Sequence, residues 1–307
     1  MMVLQAESLV IMKNIFLSVV LFAAIQSIAY TADKFEIDLL RPYKTGQVYE
    51  LSAQAGRNNQ SKLMVDGKPV DAAPGANSNT VVKLDATETI LTVDAEGRIE
   101  KCLLKIIRLT SNEVGGDEKE LSESGTEVVV SIGSDEIDFS RKDGETISKS
   151  LNSSLSQFYD PRKDDASDDL LFGTDELIGV GESWKIDSEA AAKGLSQNGM
   201  AIKPDQIRGK MKLVGLVEKD GVKCLEIHGA IEMATLAPPM PDGIKISSSG
   251  GRLTLVGFFP VDGALQASEK TSKMYFHIKA SGATGDGLLE LESKGRMGKV
   301  ISKKLVE

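Results

Sequence analysis

The sequence predicts a mainly β protein made of two lobes of twisted antiparallel sheet built from Asp-Gly hairpins, each lobe with a short helix. Three observations lead there. Six Asp-Gly dipeptides, beginning at Asp66, Asp143, Asp220, Asp242, Asp262 and Asp286, supply the positive φ that tight hairpin turns need. Between them apolar and polar residues alternate with period two, the pattern of a strand with one buried and one solvated face. Helical spacing, by contrast, is confined to two places in the middle of the chain.

The first of the long strands runs through Ile99, Leu103 and Ile107, alternating with Glu100 and Arg108. Ile147, Leu151, Leu155 and Phe158 then recur at helical spacing after Gly144, so a helix is expected near 145–158. Asp160 to Trp184 reads as a connection that starts acidic. Ser188 caps a second short helix that stops at Gly194. Beyond it, Leu225, Ile227, Ile231 and Met233 alternate with Glu226, His228 and Glu232, and Leu253 to Phe259 continues the β pattern. Met274, Phe276 and Ile278 then oppose Tyr275, His277 and Lys279. Ala237-Pro238-Pro239-Met240-Pro241 cannot continue a central strand, because proline donates no ladder hydrogen bond. The expected division is a signal peptide at 1–29, an N-terminal lobe at 30–186, a short helix and linker at 187–203, and a C-terminal lobe at 204–307.

The signal peptide is read from Lys13 followed by an apolar run from Ile15 to Ile25, which is about half the roughly 20 residues a membrane span needs. Met1 to Ile11 carries Glu7 and no basic residue, so translation is expected to begin at Met12, with cleavage after Ala29. The mature chain is expected to be secreted or periplasmic, with no transmembrane segment. Its net charge of −9 opposes a nucleic-acid partner. An aromatic content of 5% opposes recognition of sugars by stacking.

Cys102 and Cys224 offer one possible disulfide in an exported chain, or two buried apolar thiols. Period-two geometry places Cys224, Glu226 and His228 on one strand face, and each type can ligate zinc. Asp164, Asp165, Asp168 and Asp169 could offer carboxylates to calcium, although they lack the spacing and central glycine of an EF-hand. No Gly-x-Ser-x-Gly or Ser-x-x-Lys motif occurs, and no catalytic residue and no cofactor is assigned.

Val180-Gly181-Glu182-Ser183-Trp184 resembles a segment of secreted β-rich bacterial proteins of unknown function, in which a Val-Gly-acidic-x-Trp turn opens a strand. The resemblance implies secretion and a β fold and brings no activity with it. Trp184 itself is expected to anchor a core. The leading functional expectation is a non-enzymatic interaction or structural protein of the bacterial envelope, partnered by another envelope or extracellular protein. The alternative is a carrier of an apolar small molecule in a curved-sheet cavity. A hydrolase built from scattered carboxylates and a histidine is a third.

Overall fold

The computed structural model describes residues 33–70, 77–113, 116–134, 136–161, 168–197, 201–284 and 287–306. The signal peptide and the Met12 start lie outside them. In chain order the elements are β1 (Lys34–Ile37), β2 (Val48–Val65), β3 (Lys68–Val70), β4 (Ser78–Val93), β5 (Ile99–Glu113), β6 (Lys119–Glu120), β7 (Glu127–Ile132) and β8 (Ile137–Arg141). There follow α1 (Lys149–Leu155), α2 (Asp168–Phe172), β9 (Thr174–Gly179), β10 (Ser183–Lys185) and α3 (Ser188–Gln197). β11 (Ile207–Lys219), β12 (Val222–Met233), β13 (Lys245–Pro260), β14 (Glu269–Thr284) and β15 (Gly287–Leu305) complete the chain.

The expected hairpins are present. Asp66-Gly67 joins β2 to β3 and Asp220-Gly221 joins β11 to β12, each pair with both residues at positive φ, as a type I′ turn demands. On β12 the strand alternation is as read: Leu225, Ile227, Ile231 and Met233 are buried, whereas His228 and Glu232 are exposed. On β5 it is not: Cys102, Leu104 and Ile106 are the buried residues while Ile107, expected on the same side as Ile99 and Leu103, is exposed, because register shifts in the β4-β5 ladder change the phase.

The architecture departs from the sequence reading in one respect. Instead of a separate sheet for each lobe there is one 13-stranded sheet, running β10-β11-β12-β13-β14-β15-β2-β4-β5-β7-β8, with β3 and β6 paired at its side and a separate two-stranded β1-β9 sheet. The segment 187–203 therefore does not divide one sheet from another. Strand β15 pairs with β2 from Leu289↔Val65 to Leu305↔Tyr49, joining the last long strand to the first long strand. What sequence cannot supply is this long-range pairing, because the outer faces of β2 and β15 alternate no differently from those of other strands.

Residues directly opposite in a ladder share a face, so the register lets one face be followed strand by strand. Leu225 pairs with Phe259, Leu253 with Met274, Met274 with Met297, Ile301 with Ala53, Ala53 with Leu84 and Ile90 with Cys102. All lie on one face, here the inner face. Both hydrophobic clusters sit on it. The first gathers β2, β4, β5, β7 and β8 under α1, with Leu84, Leu104, Ile106, Leu109 and Leu155 fully buried. The second gathers β11, β12 and the end of β13 under α2, α3 and the β1-β9 pair, including Ile37, Ile178, Trp184, Leu213 and Ile227. Ile37 and Leu39 near the start of the described chain, and residues from 172–186, thus pack into the cluster of the C-terminal strands. There are thus two hydrophobic cores on one sheet.

Local sequence explains how the covering elements seat themselves. Ser148 caps α1 by accepting from the Leu151 amide (3.2 Å), and Leu151, Leu155 and Phe158 then turn onto the sheet. Gly181, at φ 89°, donates to the Leu213 carbonyl and turns the chain into β10, where Trp184 is buried and its indole N–H donates to the Phe172 carbonyl (2.8 Å). At two inner-face glycines that thin the sheet, a neighbour's side chain fills the space. Met211 lies over Gly229 and the Phe276 ring over Gly295, its direct partner.

Candidate functional site

Between the two clusters the inner face is only partly covered, and a cleft of about 320 Å³ remains. Its floor is two adjacent rows of the ladder. One row runs Ile227, Gly257, Lys270, Ile301, and the next runs Gly229, Leu255, Ser272, Lys299. Leu39, Phe172, Met211 and Phe259 close it on the side of the second cluster. The segment bearing Leu39 is held in place from both sides: the Leu39 amide donates to Asp169 Oδ1 (2.8 Å) and the buried Arg41 donates to the Pro260 carbonyl (3.1 Å).

Two ammonium groups border this apolar space. Lys299 Nζ contacts Asp160 Oδ2 at 2.7 Å, and the Asp160 carboxylate is largely exposed, so the pair sits at the water boundary. Lys270 stands over the Phe259 ring, 5.4 Å from its centroid. The cleft therefore combines apolar walls with a floor that carries two lysines toward the water boundary, one of them paired with Asp160.

A second cluster of chemistry-bearing side chains is enclosed in the first core. Glu88 on β4 has no solvent exposure. Lys303 of β15 donates to Glu88 Oε2 and to the Tyr43 hydroxyl (3.1 Å), the Tyr159 hydroxyl donates to Glu88 Oε1 (2.9 Å), and the Cys102 thiol points at the same oxygen. The cluster joins β4, β5, β15, the loop before β2 and the turn after α1. It is a structural lock, because no reactant can reach a carboxylate so enclosed. Nothing in the local sequence distinguishes Glu88, which stands between Thr87 and Thr89 in β4. Its partner lies 215 residues away.

Burial, and then the Glu88 charge, raise the Tyr159 hydroxyl and the Cys102 thiol above their ordinary ranges. For Lys303, burial works against the charge, but Glu88 and then Tyr43 outweigh it and hold the ammonium protonated above the usual lysine range. All three groups keep their protons when folded at pH values where the unfolded chain has released them. Their contribution is thus complete below the unfolded thiol value of about 8.5, declines as pH rises through the unfolded tyrosine and lysine values of about 10 to 10.5, and is exhausted only above the raised folded-state values. The expected result is a thermal midpoint that is level between about pH 7 and 8.5 and falls steadily from about pH 9 to 11, read by scanning calorimetry.

The residues singled out from the sequence are placed as follows. Cys102 and Cys224 are both buried and both free, so the possible disulfide is not formed. Cys102 is on the inner face of β5, and Cys224 is on the other face of β12, six strands away in the sheet, with its sulfur toward the Val222 carbonyl (3.5 Å) and the Ser268 hydroxyl (3.6 Å). The Cys224, Glu226, His228 set shares one face as expected, but only Glu226 and His228 meet, at 2.7 Å, and the thiol is turned away. No group of three or more His, Cys, Asp or Glu able to hold a metal occurs among the described residues. Asp164 and Asp165 lie outside the described residues, as does the Asp168 side chain, and Asp169 is engaged with Leu39. Among the described residues no helix is long and apolar enough to cross a membrane.

No protein-family model matches the chain, and no curated protein matches it. Among solved structures it is similar to lipovitellin, in a structure titled for its lipid-protein interactions, at a TM-score of 0.33 and 9% identity over 86% of this chain. The chain spans only 25% of the length of lipovitellin. It is also similar to the outer membrane protein OprG of Pseudomonas aeruginosa (TM-score 0.16, 8% identity, 88% of this chain and 100% of that one). The MucA/MucB complex of Pseudomonas aeruginosa gives a TM-score of 0.18 and 11% identity, over 80% of this chain and 88% of that one. Likenesses of this size assign no family.

Proposed function

We propose that the protein is a non-enzymatic, extracytoplasmic carrier that holds one apolar chain with an anionic end, such as a long-chain carboxylate, in the inner-face cleft. The observation that supports it is the placement of both cores on one face of one sheet, with an apolar gap between them bordered by Lys270 and Lys299. Two cores joined only for stability would close that gap, since interiors are normally packed to crystal-like density. The volume is at the small end of the roughly 300–1,000 Å³ range of ligand pockets, which fits a single chain rather than a multi-chain lipid. The extracytoplasmic setting rests on the Lys13 to Ala29 segment.

This reading puts the carrier ahead of the purely structural role. A hydrolytic role has weaker support: His228 contacts Glu226 on an exposed strand face, and His277 lies beside the Tyr275 ring in a hollow it shares with Asp205 and Glu232, whose lining among the described residues includes no serine, threonine or cysteine. Native mass spectrometry of the mature protein, recovered from the exported fraction of its host, tests the proposal. The expected spectrum carries one extra mass that is lost on denaturation and matches a fatty acid or similar amphiphile. A bare polypeptide that also takes up no added hexadecanoate would overturn it.

A further inference from the structure

The opposite, outer face of the sheet is polar, and in its central strands the residues are ordered. Following the ladder across five strands gives one row: Arg252 on β13, Tyr275 on β14, Arg296 on β15, Asn58 on β2 and Asn79 on β4, each directly opposite the next. At about 4.8 Å per strand the row is about 19 Å wide. The row beside it contains Lys273, then Gly298 and Gly56 as direct partners. With no side chains at these glycines, the sheet dips, and a hollow of about 400 Å³ opens against the Arg-Tyr-Arg segment. The row on the other side contributes Gln60 and Lys294, the latter already paired with Glu292 at 3.1 Å.

The charge here is opposite to that of the whole chain. Arg252, Lys273 and Arg296 are exposed, no ion pair joins them to another described residue, and no carboxylate lines the hollow. At the β12 end the row meets acid: Glu232 is directly opposite Arg252, and it and Asp205 line the adjoining hollow, so the cationic stretch runs from Arg252 toward β2. In a protein of net charge −9, a cationic strip of this kind attracts an anion that the molecule as a whole would repel.

Charge alone would suit any anion, but the strip has two more components. Tyr275 presents an exposed ring between two guanidinium groups, and Asn58, Asn79 and Gln60 present carboxamides, which both donate to and accept from hydroxyl groups. Cation, aromatic ring and amide in sequence along one line match a ligand that carries negative charge, an apolar ring face and hydroxyls. We propose that this row binds an anionic glycan, a chain of sugar rings bearing carboxylates. The low aromatic content of the sequence argues against recognition dominated by stacking, and here charge and amides carry most of the recognition around a single ring. The site is on the other face from the cleft and is independent of the carrier proposal.

Polygalacturonate, uncharged dextran and inorganic polyphosphate, each titrated calorimetrically into the mature protein, test it. Polygalacturonate is expected to bind, more weakly as salt is raised, and dextran is expected not to. Arg252→Ser with Arg296→Ser is expected to lower the polygalacturonate affinity at least about tenfold, as loss of two charged contacts implies. Tyr275→Ala and Asn58→Ala are each expected to lower it by about threefold or more while leaving polyphosphate unchanged. All four positions are solvent-facing, and an unchanged thermal midpoint confirms that the variants are folded. Failure of polygalacturonate to bind, equal binding by dextran, or an effect of the arginines with none of Tyr275 or Asn58 would each overturn the proposal, the last by reducing the strip to non-selective charge attraction.

Discussion

Glu88→Ala is expected to destabilise the protein by about 3–5 kcal/mol, the usual cost of leaving a buried ion without its partner. Lys303 would remain in the first core with the Tyr43 hydroxyl and the Tyr43 and Tyr49 ring faces but no counter-charge, and the Tyr159 hydroxyl would lose its acceptor. In a chain of this size that corresponds to a fall in thermal midpoint on the order of 10 °C. Glu88→Gln keeps an acceptor for Tyr159 but not the charge, so it is expected to cost less. The informative control is the pair Glu88→Gln with Lys303→Met, which removes both charges and is expected to recover much of the loss, because well-packed neutral pairs commonly match buried ion pairs. If Glu88→Ala melted with the wild type, the lock would hold nothing. Because Lys303 lies in the last strand, its release is also expected to fray the β15 end near Tyr49 first, which amide hydrogen exchange reads directly.

The second large effect concerns the cleft. Ser272 is on its floor, between Leu255 and Lys299 and partly open to solvent, so Ser272→Trp places a large ring in the middle of the space without cutting into a packed core. Uptake of a long-chain carboxylate is expected to fall by about tenfold or more, roughly the loss expected when a hydrophobic side chain's worth of burial is denied to the ligand. Stability should change little. Lys270→Ala and Lys299→Ala divide the contributions further. Each is expected to weaken carboxylate binding several-fold, in keeping with the modest worth of partly exposed charge pairs, and to leave binding of the alcohol of equal chain length unchanged. A Ser272→Trp protein that binds as the wild type does would place the ligand elsewhere.

The features of the fold that were legible are those fixed by local chemistry. Asp66-Gly67 and Asp220-Gly221 determine their turns because both residues of each must adopt positive φ, and the alternation through Leu225 to Met233 determines which side chains are buried. The pairing of β15 with β2 was not legible, since strands of similar period can pair in many orders and the choice is made by the whole core. The same holds for the sites. Cys224, Glu226 and His228 share a strand face, but the Cys224 sulfur is buried against Ser268, a contact no spacing rule could give. The cleft and the outer-face row both consist of residues from separate strands that meet only through long-range register, and Glu88 meets Lys303 in the same way. Leu151 and Leu155 lie in a helix on the sheet that is shorter than the expected 145–158, with Ile147 before it and Phe158 after it, but a helix that covers a core and one that covers a cavity carry the same pattern.

The most direct test of the carrier proposal is photolabelling with hexadecanoate bearing a diazirine near the end of its chain, followed by proteolysis and mapping of the modified peptides. Labelling concentrated on the peptides containing Met211, Ile227 and Leu255, saturable and competed by unlabelled hexadecanoate, is the expected result. Labelling spread over both faces of the sheet, or none above a denatured control, would contradict it.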